Sequence, residues 1–292
     1  MQLDPPRGDG ESPADYETRV HARSRSVRTP MGGGTMTGGT MAWHVWGDDA
    51  APPLVLLHGG FGSWRHWILN VVPLSRHYRV LCAELPGLGD SDPLPGEYTA
   101  DSIARAVLQG IDTLVGDARF YITGFSFGGI IASHIGALAS ARIARLVTVA
   151  PGALGLTGRR PELVSLGGRR NAQAVLDTHR ENLGRLMIKD PARIDDLALH
   201  VQVETVRRAR ARSGNIPWTD ASARALARCT CPIAGVWGQC DLIAEQHMHE
   251  RVELFQRLQP GCPFEIIEGA GHWVMYERPD RFNPLLLDIL AP

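Results

Sequence analysis

The chain has 292 residues, of which 44% are hydrophobic, so it can bury a sizeable core as one large domain or one domain with an insertion. Its net charge of −1 excludes a protein that binds nucleic acid through a broad phosphate-neutralising surface. The five cysteines are odd in number and form no spaced framework, which predicts free thiols in a reducing compartment.

The first 40 residues are polar and rich in Pro, Gly, Arg and Ser. We expect a loose segment with short edge strands and glycine turns at 31–34 and 38–39, before a first core strand at Met41–Trp46. The segment lacks the apolar stretch of a signal peptide, and no stretch elsewhere is long enough to span a bilayer. A cytoplasmic protein with no membrane partner is therefore expected.

A glycine cluster follows the second core strand. That strand, Leu54–Leu57, is short and wholly apolar, as expected of a strand buried on both faces. The cluster His58–Ser63 follows directly, and a helix is predicted over Trp64–Leu74. Glycines at such a place let backbone amides approach a ligand closely. We expect an oxyanion donor here, the amide of Gly60 or, as a second choice, that of Phe61; the alternative is a tight connection without chemistry.

The alternation of strand and helix continues to about residue 150. Strands are predicted at 78–84 and 143–150, and an amphipathic helix at 101–115. Right-handed crossovers between such strands give an α/β fold, with a mostly parallel sheet covered by helices on both faces. Ligands bind such sheets at the carboxyl ends of the strands.

A G-x-S-x-G turn follows the strand-forming run Tyr121–Thr123 and precedes a predicted helix. Gly124 and Gly128 leave room for a sharp strand-to-helix bend, because glycine has no Cβ. The bend puts Ser126 at its apex and points the amide of Phe127 and the helix N-terminus toward the same space. By itself the pattern is only a glycine-rich turn in a chain with 32 glycines. The strand before it and the helix after it favour a nucleophile elbow.

Residues 151–228 interrupt the α/β pattern. They contain no buried strand and predict two helices, at 171–188 and 191–212, so we interpret them as a helical cap over the carboxyl edge of the sheet. The stretch is rich in arginine, and most of these side chains are expected on solvated helix faces. One or two that point inward could instead bind a substrate carboxylate.

Strands and helices resume between residues 232 and 290. Asp241 and His272 each lie just past the end of a predicted strand, as Ser126 does, so the three side chains are expected at one edge of the sheet. A lone loop aspartate is usually a turn or cap residue, and a lone histidine usually packs or faces solvent. Their shared position and the chain order Ser, Asp, His instead predict a catalytic triad.

These pieces resemble the α/β-hydrolase superfamily, in its capped branch. The resemblance spans roughly residues 40–292 and is carried by His58-Gly59-Gly60, the loop Glu84–Ser91, Gly124-Phe125-Ser126-Phe127-Gly128-Gly129, Gly238-Gln239-Cys240-Asp241 and Gly271-His272. It implies Ser126 as nucleophile, His272 as base and Asp241 as the residue that orients the base. It also implies an oxyanion hole formed by the amides of Gly60 and Phe127. One departure is at residue 84, where this chain has Glu and many relatives have Asp.

The implied organisation is an N-terminal segment at 1–40, a core at 41–150 and 229–292, and the cap at 151–228. Phe61, Trp64, Phe125 and Trp273 are expected to line an apolar, aromatic substrate pocket. The chemistry needs no metal and no other cofactor. The expected partner is a small-molecule substrate, with no nucleic acid, and a homodimer is compatible with the sequence.

Two enzyme classes fit these residues best. Gly271-His272-Trp273 and Phe282-Asn283 are similar to carbon–carbon hydrolases of aromatic ring-cleavage pathways. Those enzymes often have Asn before the nucleophile, where this chain has Phe125, and Gly-Pro-Gly where it has Phe61-Gly62-Ser63. We therefore place a serine hydrolase acting on a small, largely apolar ester or thioester first. A carbon–carbon hydrolase of the meta-cleavage product type is second.

The candidate triad also bears on four other classes of protein. Dehalogenases and epoxide hydrolases on this fold use Asp as nucleophile, and Ser126 argues against both. A peroxide-using oxidase on the same triad stays open. So does a non-catalytic ligand receptor that keeps the pocket, although an intact triad argues against it.

Overall fold

A computed structural model describes residues 7–8, 10–32, 39–168 and 171–291. Its strands are β1 Arg25–Pro30, β2 Thr40–Trp46, β3 Pro53–Leu57, β4 Arg79–Ala83, β5 Phe120–Phe125, β6 Ile143–Val149, β7 Ile233–Gly238 and β8 Phe264–Ile267. Its α-helices are α1 Pro13–His21, α2 Val71–Leu74, α3 Ala100–Val115, α4 Phe127–Ala139, α5 Ala172–Asn182, α6 Asp196–Arg208, α7 Ala221–Leu226, α8 Met248–Leu258, α9 Val274–Glu277 and α10 Pro279–Leu290.

The strands form one sheet in the order β1-β2-β4-β3-β5-β6-β7-β8. β2 pairs antiparallel with β1 and β4, and all later pairs are parallel. The predicted mostly parallel sheet is therefore confirmed.

Two hydrophobic cores cover the two faces of this sheet. Helices α3, α4, α7 and α8 contribute to one core, and α1, α2, α6, α9 and α10 contribute to the other. Strand β3 contributes side chains to both cores. Val55 and Leu57 belong to the first core, and Leu54 and Leu56 belong to the second. This explains why the strand is wholly apolar, since side chains alternate between faces and neither face meets water.

The N-terminal region is more ordered than its composition predicts. The predicted loose segment contains α1 and the edge strand β1. Ser12 caps α1 by accepting a hydrogen bond from the Asp15 amide, and the helix buries Tyr16 and Val20. Two buried apolar side chains in a helix of nine residues are too weak a periodic signal to read from sequence. The predicted turn glycines Gly33, Gly34 and Gly38 lie outside the described residues.

A partly buried acid joins α1 to the rest of the molecule. Glu17 accepts hydrogen bonds from Arg65 and from His200, whose Nε2 lies 2.7 Å from Glu17 Oε2. Burial raises the pKa of the Glu17 carboxyl, but the hydrogen bonds and charges of Arg65 and His200 outweigh it, so the pKa is lowered. A carboxyl with a lowered folded-state pKa stabilises the fold above its unfolded pKa, and that contribution is lost as pH falls through the folded-state value.

Glu17→Gln is accordingly expected to destabilise the protein at pH 7 by about 1–2 kcal/mol. The difference from the native protein should begin to shrink as pH falls below the ordinary carboxyl pKa, because the unfolded chain gains its proton there, and it should vanish below the lowered folded-state pKa, where native Glu17 is protonated as well. Thermal unfolding midpoints between pH 3 and pH 7 measure this. Glu181→Gln, which removes one half of the exposed pair with Arg185, is the control and should change stability by less than about 0.5 kcal/mol. An equal difference at every pH would contradict the prediction.

The predicted helix at 64–74 is interrupted. A 3-10 turn over Trp64–Trp67 and the short α2 replace it. Asn70 stands between them and uses its side-chain amide to bond Met275 O at 3.0 Å and Asn283 Oδ1 at 2.7 Å. Pro73 lacks an N–H to continue the helical ladder.

Residues 151–228 contain α5, α6 and α7, and no strand is found in the described part of this stretch. The predicted helix at 191–212 is shorter than expected, because Asp195 caps the start of α6. The helix predicted at 171–188 ends at Asn182 and continues as a π-helical turn over Leu183–Met187. Among the described residues, no helix combines the length and apolarity needed to cross a membrane.

Candidate active site

Ser126 stands on a sharp turn between β5 and α4. Its backbone has φ 50° and ψ −112°, a conformation that non-glycine residues rarely adopt. The Ser126 amide donates to Val149 O at 2.8 Å, which ties the turn to β6. A Cβ added to Gly124 would lie 2.3 Å from Gly128 O, and one added to Gly128 would lie 2.4 Å from Leu57 O. Glycine is therefore required at both positions, because the Cβ of any other residue would collide with backbone atoms.

Gly128→Ala tests this close approach. The new methyl group would meet two backbone carbonyls, those of Leu57 and His58, which have little freedom to move. We expect a loss of stability of about 3–5 kcal/mol, measured by chemical denaturation. Gly184→Ala is the matched control, because its Cβ would lie at an ordinary 3.4 Å from Ile194 Cδ1. Similar stability of the two variants would contradict the prediction.

The predicted triad residues lie together in one hydrogen-bonded chain. Ser126 Oγ lies 3.0 Å from His272 Nε2, and His272 Nδ1 lies 2.8 Å from Asp241 Oδ2. The other carboxylate oxygen of Asp241 accepts the Ile243 amide at 3.0 Å. Because a carboxylate only accepts, Nδ1 carries the imidazole proton and Nε2 is free to accept the proton of the serine hydroxyl. Asp241 and His272 are 1% and 3% exposed, so water competes little for these bonds.

The loops that carry Asp241 and His272 are bonded to each other. Cys240 donates its amide to Ala270 O at 2.8 Å, and Gly238 approaches so closely that an added Cβ would lie 2.0 Å from Gly271 O. The sequence correctly placed both residues past strand ends, and β7 and β8 are neighbours in the sheet. Adjacent parallel strands thus deliver the acid and the base to one place.

Glu277 joins the loop that carries His272 to the segment that precedes α6. Its side chain is fully buried and accepts the Gly271 amide at 2.7 Å, the Asp190 amide at 2.7 Å and the Lys189 amide at 3.1 Å. Sequence reasoning missed this role, since the partners lie up to 88 positions away.

The oxyanion-hole residues predicted from sequence lie side by side. A Cβ on Gly60 would lie 3.9 Å from Phe127 Cβ, and both residues line the same pocket. His58 holds the Gly60 loop: its Nδ1 donates to Gly59 O at 2.8 Å and its Nε2 accepts the Leu85 amide at 3.0 Å. Burial lowers the pKa of His58 to about 4, so the ring stays neutral and keeps this bonding pattern.

The pocket above Ser126 has a volume of about 460 Å³ and mostly apolar walls. Of the predicted pocket residues, Phe61 and Phe125 line it, as does Phe127. Phe61 has φ 54° and remains 43% exposed at the mouth. Phe125 is fully buried and forms the floor beside His272, with ring centroids 5.1 Å apart.

Trp64 and Trp273 lie outside the pocket, contrary to expectation. Trp64 packs against Trp46 with ring centroids 5.3 Å apart, under α1. Trp273 stacks on Tyr276 at 4.3 Å and donates its indole N–H to His66 O at 2.9 Å. Each ring has its partners within the core, as large aromatic side chains usually do.

His66 lines the pocket beside the triad, where the two tryptophans were expected. It is 3% exposed, lines the pocket and accepts the Gly59 amide on Nδ1 at 3.2 Å. Burial lowers the pKa of His66 well below its usual value, so the ring is neutral and its Nε2 carries the proton. Residues 151–228 supply further apolar walls, which no local pattern indicated: Leu163, Leu186, Met187, Pro217 and Trp218.

One cluster of metal-ligand type lies elsewhere. Ligand atoms of His44, Glu84 and Asp90 are within 4.8 Å of one another. Asp90 is paired with Arg208 at 2.7 Å, and its amide donates to Glu84 Oε2, which closes the loop after β4. None of the three residues lines the pocket above Ser126.

Comparisons with known proteins agree with this fold. The sequence profile described as "Alpha/beta hydrolase family" matches residues 54–285. A 2-hydroxy-6-oxononadienedioate/2-hydroxy-6-oxononatrienedioate hydrolase from Cupriavidus pinatubonensis is 27% identical over 264 residues, 82% of this chain and 87% of the relative. A carboxylesterase from Bacillus subtilis superposes with a TM-score of 0.75 at 18% identity, over 96% of this chain and 97% of that one. A meta-cleavage product hydrolase from Pseudomonas fluorescens IP01 has a TM-score of 0.69 at 20% identity, over 86% and 94%.

Proposed function

Because the chain belongs to the alpha/beta hydrolase family, and is therefore a hydrolase with that fold, we propose that it cleaves a small, largely apolar ester or thioester through an acyl-enzyme. The observation that carries this proposal is the bonded chain Ser126–His272–Asp241, which opens into an apolar pocket. Nucleophile, base and orienting acid are all within hydrogen-bond reach before any substrate binds.

In the first half of the reaction, Ser126 Oγ attacks the substrate carbonyl carbon while His272 Nε2 takes the hydroxyl proton. Asp241 accepts the Nδ1–H bond and stabilises the imidazolium that forms. The carbonyl oxygen becomes an oxyanion, which the amides of Gly60 and Phe127 would hold. The tetrahedral intermediate then expels the alcohol or thiol, which His272 protonates, and leaves an acyl group on Ser126.

In the second half, His272 takes a proton from water as that water attacks the acyl carbonyl. The same two amides stabilise the second oxyanion, and Ser126 leaves with its proton returned. The pocket walls hold the apolar part of the substrate and exclude other water. Every step uses residues of this chain alone.

Release of 4-nitrophenol from acetyl, butyryl and octanoyl esters tests the proposal directly. We expect a burst close to one equivalent of enzyme where deacylation is slow, because the acyl group stays on Ser126. A receptor that only binds would show neither burst nor turnover. Well-folded protein that releases no nitrophenol from any ester would overturn the ester proposal.

Carbon–carbon bond hydrolysis is the second candidate. The similarity to a hydrolase of 2-hydroxy-6-oxo dienedioates favours it. The apolar Phe125 before the nucleophile disfavours it, because an enolised dienone needs polar partners there. Loss of the visible absorbance of a 2-hydroxy-6-oxo-dienoate, compared with ester turnover by the same preparation, ranks the two activities.

A further inference from the structure

The mouth of the pocket combines apolar side chains with two arginines. Arg160 and Arg212 both line the pocket and are exposed. Phe61, Leu163 and Trp218 lie at the same mouth and are 43%, 50% and 41% exposed. Among the residues that the structure describes, none of those lining the pocket is acidic.

These two arginines differ from most others of the cap, which are already bonded. Bonded arginines there are Arg180, Arg185, Arg193, Arg207, Arg208, Arg210 and Arg224. Within the described ranges, neither Arg160 nor Arg212 forms an ion pair or a hydrogen bond through its guanidinium, and Arg160 only lies over the Trp218 ring at 5.2 Å. Two guanidinium groups without a hydrogen-bond or ion-pair partner among the described residues therefore lie at an apolar cavity.

The backbone holds both arginines in place. Arg159 donates its amide to Ile243 O at 3.1 Å, which fixes the segment that carries Arg160 just beyond Asp241. The amides of Arg210 and Ala211 both donate to Gly87 O, at 2.8 and 3.0 Å, which fixes the segment that carries Arg212. Each segment is thus bonded to a loop at the carboxyl edge of the sheet. The backbone segments that carry the two positive charges are therefore fixed to the core by hydrogen bonds.

We propose that this mouth binds a carboxylate at the far end of the substrate, so that the preferred substrates are esters bearing a distal negative charge. Guanidinium forks bind carboxylates through paired charge-assisted hydrogen bonds, and the apolar mouth residues limit the water that competes. The apolar cavity then holds the chain between the carboxylate and the scissile carbonyl. This inference rests on the proposed ester hydrolysis for its first test.

That test compares matched substrates that differ only in charge. One is the mono-4-nitrophenyl ester of octanedioic acid, and the other is the same molecule with its free carboxyl capped as a methyl ester. A second pair places the carboxylate, or its methyl ester, on the nitrophenol ring. We expect the native enzyme to prefer the charged member of at least one pair by about tenfold in kcat/KM. The preference should fall as salt rises from 0.05 to 0.5 M.

Arg160→Gln with Arg212→Gln should bring the charged-to-neutral ratio to about one. Arg207→Gln with Arg224→Gln is the control, because it removes the same two positive charges from exposed positions outside the pocket, where Arg207 is paired with Glu204 and Arg224 with Asp220. That control should keep the native ratio. A native ratio near one in both pairs, or a ratio that survives the double substitution, would overturn the inference.

Failure of this inference and failure of the proposed function give different results. Equal Ser126-dependent turnover of charged and neutral esters would refute the charge preference alone. If neither ester is cleaved, the proposed function fails, and calorimetry on Ser126→Ala still decides the binding question. There, monomethyl octanedioate should bind about tenfold more tightly than dimethyl octanedioate, and equal affinity would refute the carboxylate site.

Discussion

Ser126→Ala is expected to lower kcat for ester hydrolysis by at least about 10,000-fold and to abolish the nitrophenol burst. The substitution removes the hydroxyl that lies 3.0 Å from His272 Nε2 and that we propose as the nucleophile. It also leaves the elbow backbone in place, since the Ser126 amide bond to Val149 O needs no side chain. The measurement is single-turnover nitrophenol release, with circular dichroism to verify folding.

Ser133→Ala is the matched control. Ser133 is a buried serine in α4, the helix that follows Ser126, and its hydroxyl donates to Gly129 O at 2.8 Å. This variant should keep kcat within a few-fold of the native value. A fluorophosphonate probe should label the native protein and Ser133→Ala but not Ser126→Ala. Equal turnover by the native protein and Ser126→Ala would refute the assignment of the nucleophile.

Asp241→Asn should lower kcat by about 1,000- to 10,000-fold at pH 7. The amide has nearly the shape of the carboxylate, but its NH₂ group can donate to His272 Nδ1. That bond favours the tautomer with the proton on Nε2, which cannot accept the proton of Ser126. The loss should be smaller at high pH, where the serine hydroxyl needs less help from a base. A pH profile of kcat from 6 to 10 measures both effects.

The control for this second variant is Asp112→Asn, which alters the exposed pair with Arg142 on the far surface of the protein. It should leave both kcat and its pH profile as in the native enzyme. If Asp241→Asn keeps a tenth or more of the native kcat at pH 7, another group must orient His272, and the role assigned to Asp241 is wrong.

Much of the fold could be predicted because its signals are local. The buried strand Leu54–Leu57 reads as an unbroken apolar run, since both of its faces meet a core. The turn at Gly124 and Gly128 reads as an elbow, because no larger residue fits beside the backbone there. The order of strands and helices then places Ser126, Asp241 and His272 at one edge without any knowledge of contacts.

The parts that sequence reasoning missed depend on contacts between distant segments. Trp273 lies outside the pocket because its indole N–H donates a hydrogen bond to His66 O, 207 positions away in the sequence. α1 is held by Arg65 and His200 through Glu17, across separations of 48 and 183 positions. No periodicity or motif encodes such pairs, so composition suggested a loose segment where a helix docks.

Local chemistry therefore determined which elements form and which side chains lie at the candidate active site. Glycine sterics, strand burial and turn position each act over a few residues. The shape and charge of the pocket were decided by tertiary packing, which brought His66, Arg160 and Arg212 to its wall and moved Trp64 away. The pocket wall is formed by side chains from several separate segments of the chain. The direction of each segment depends on the residues against which it packs.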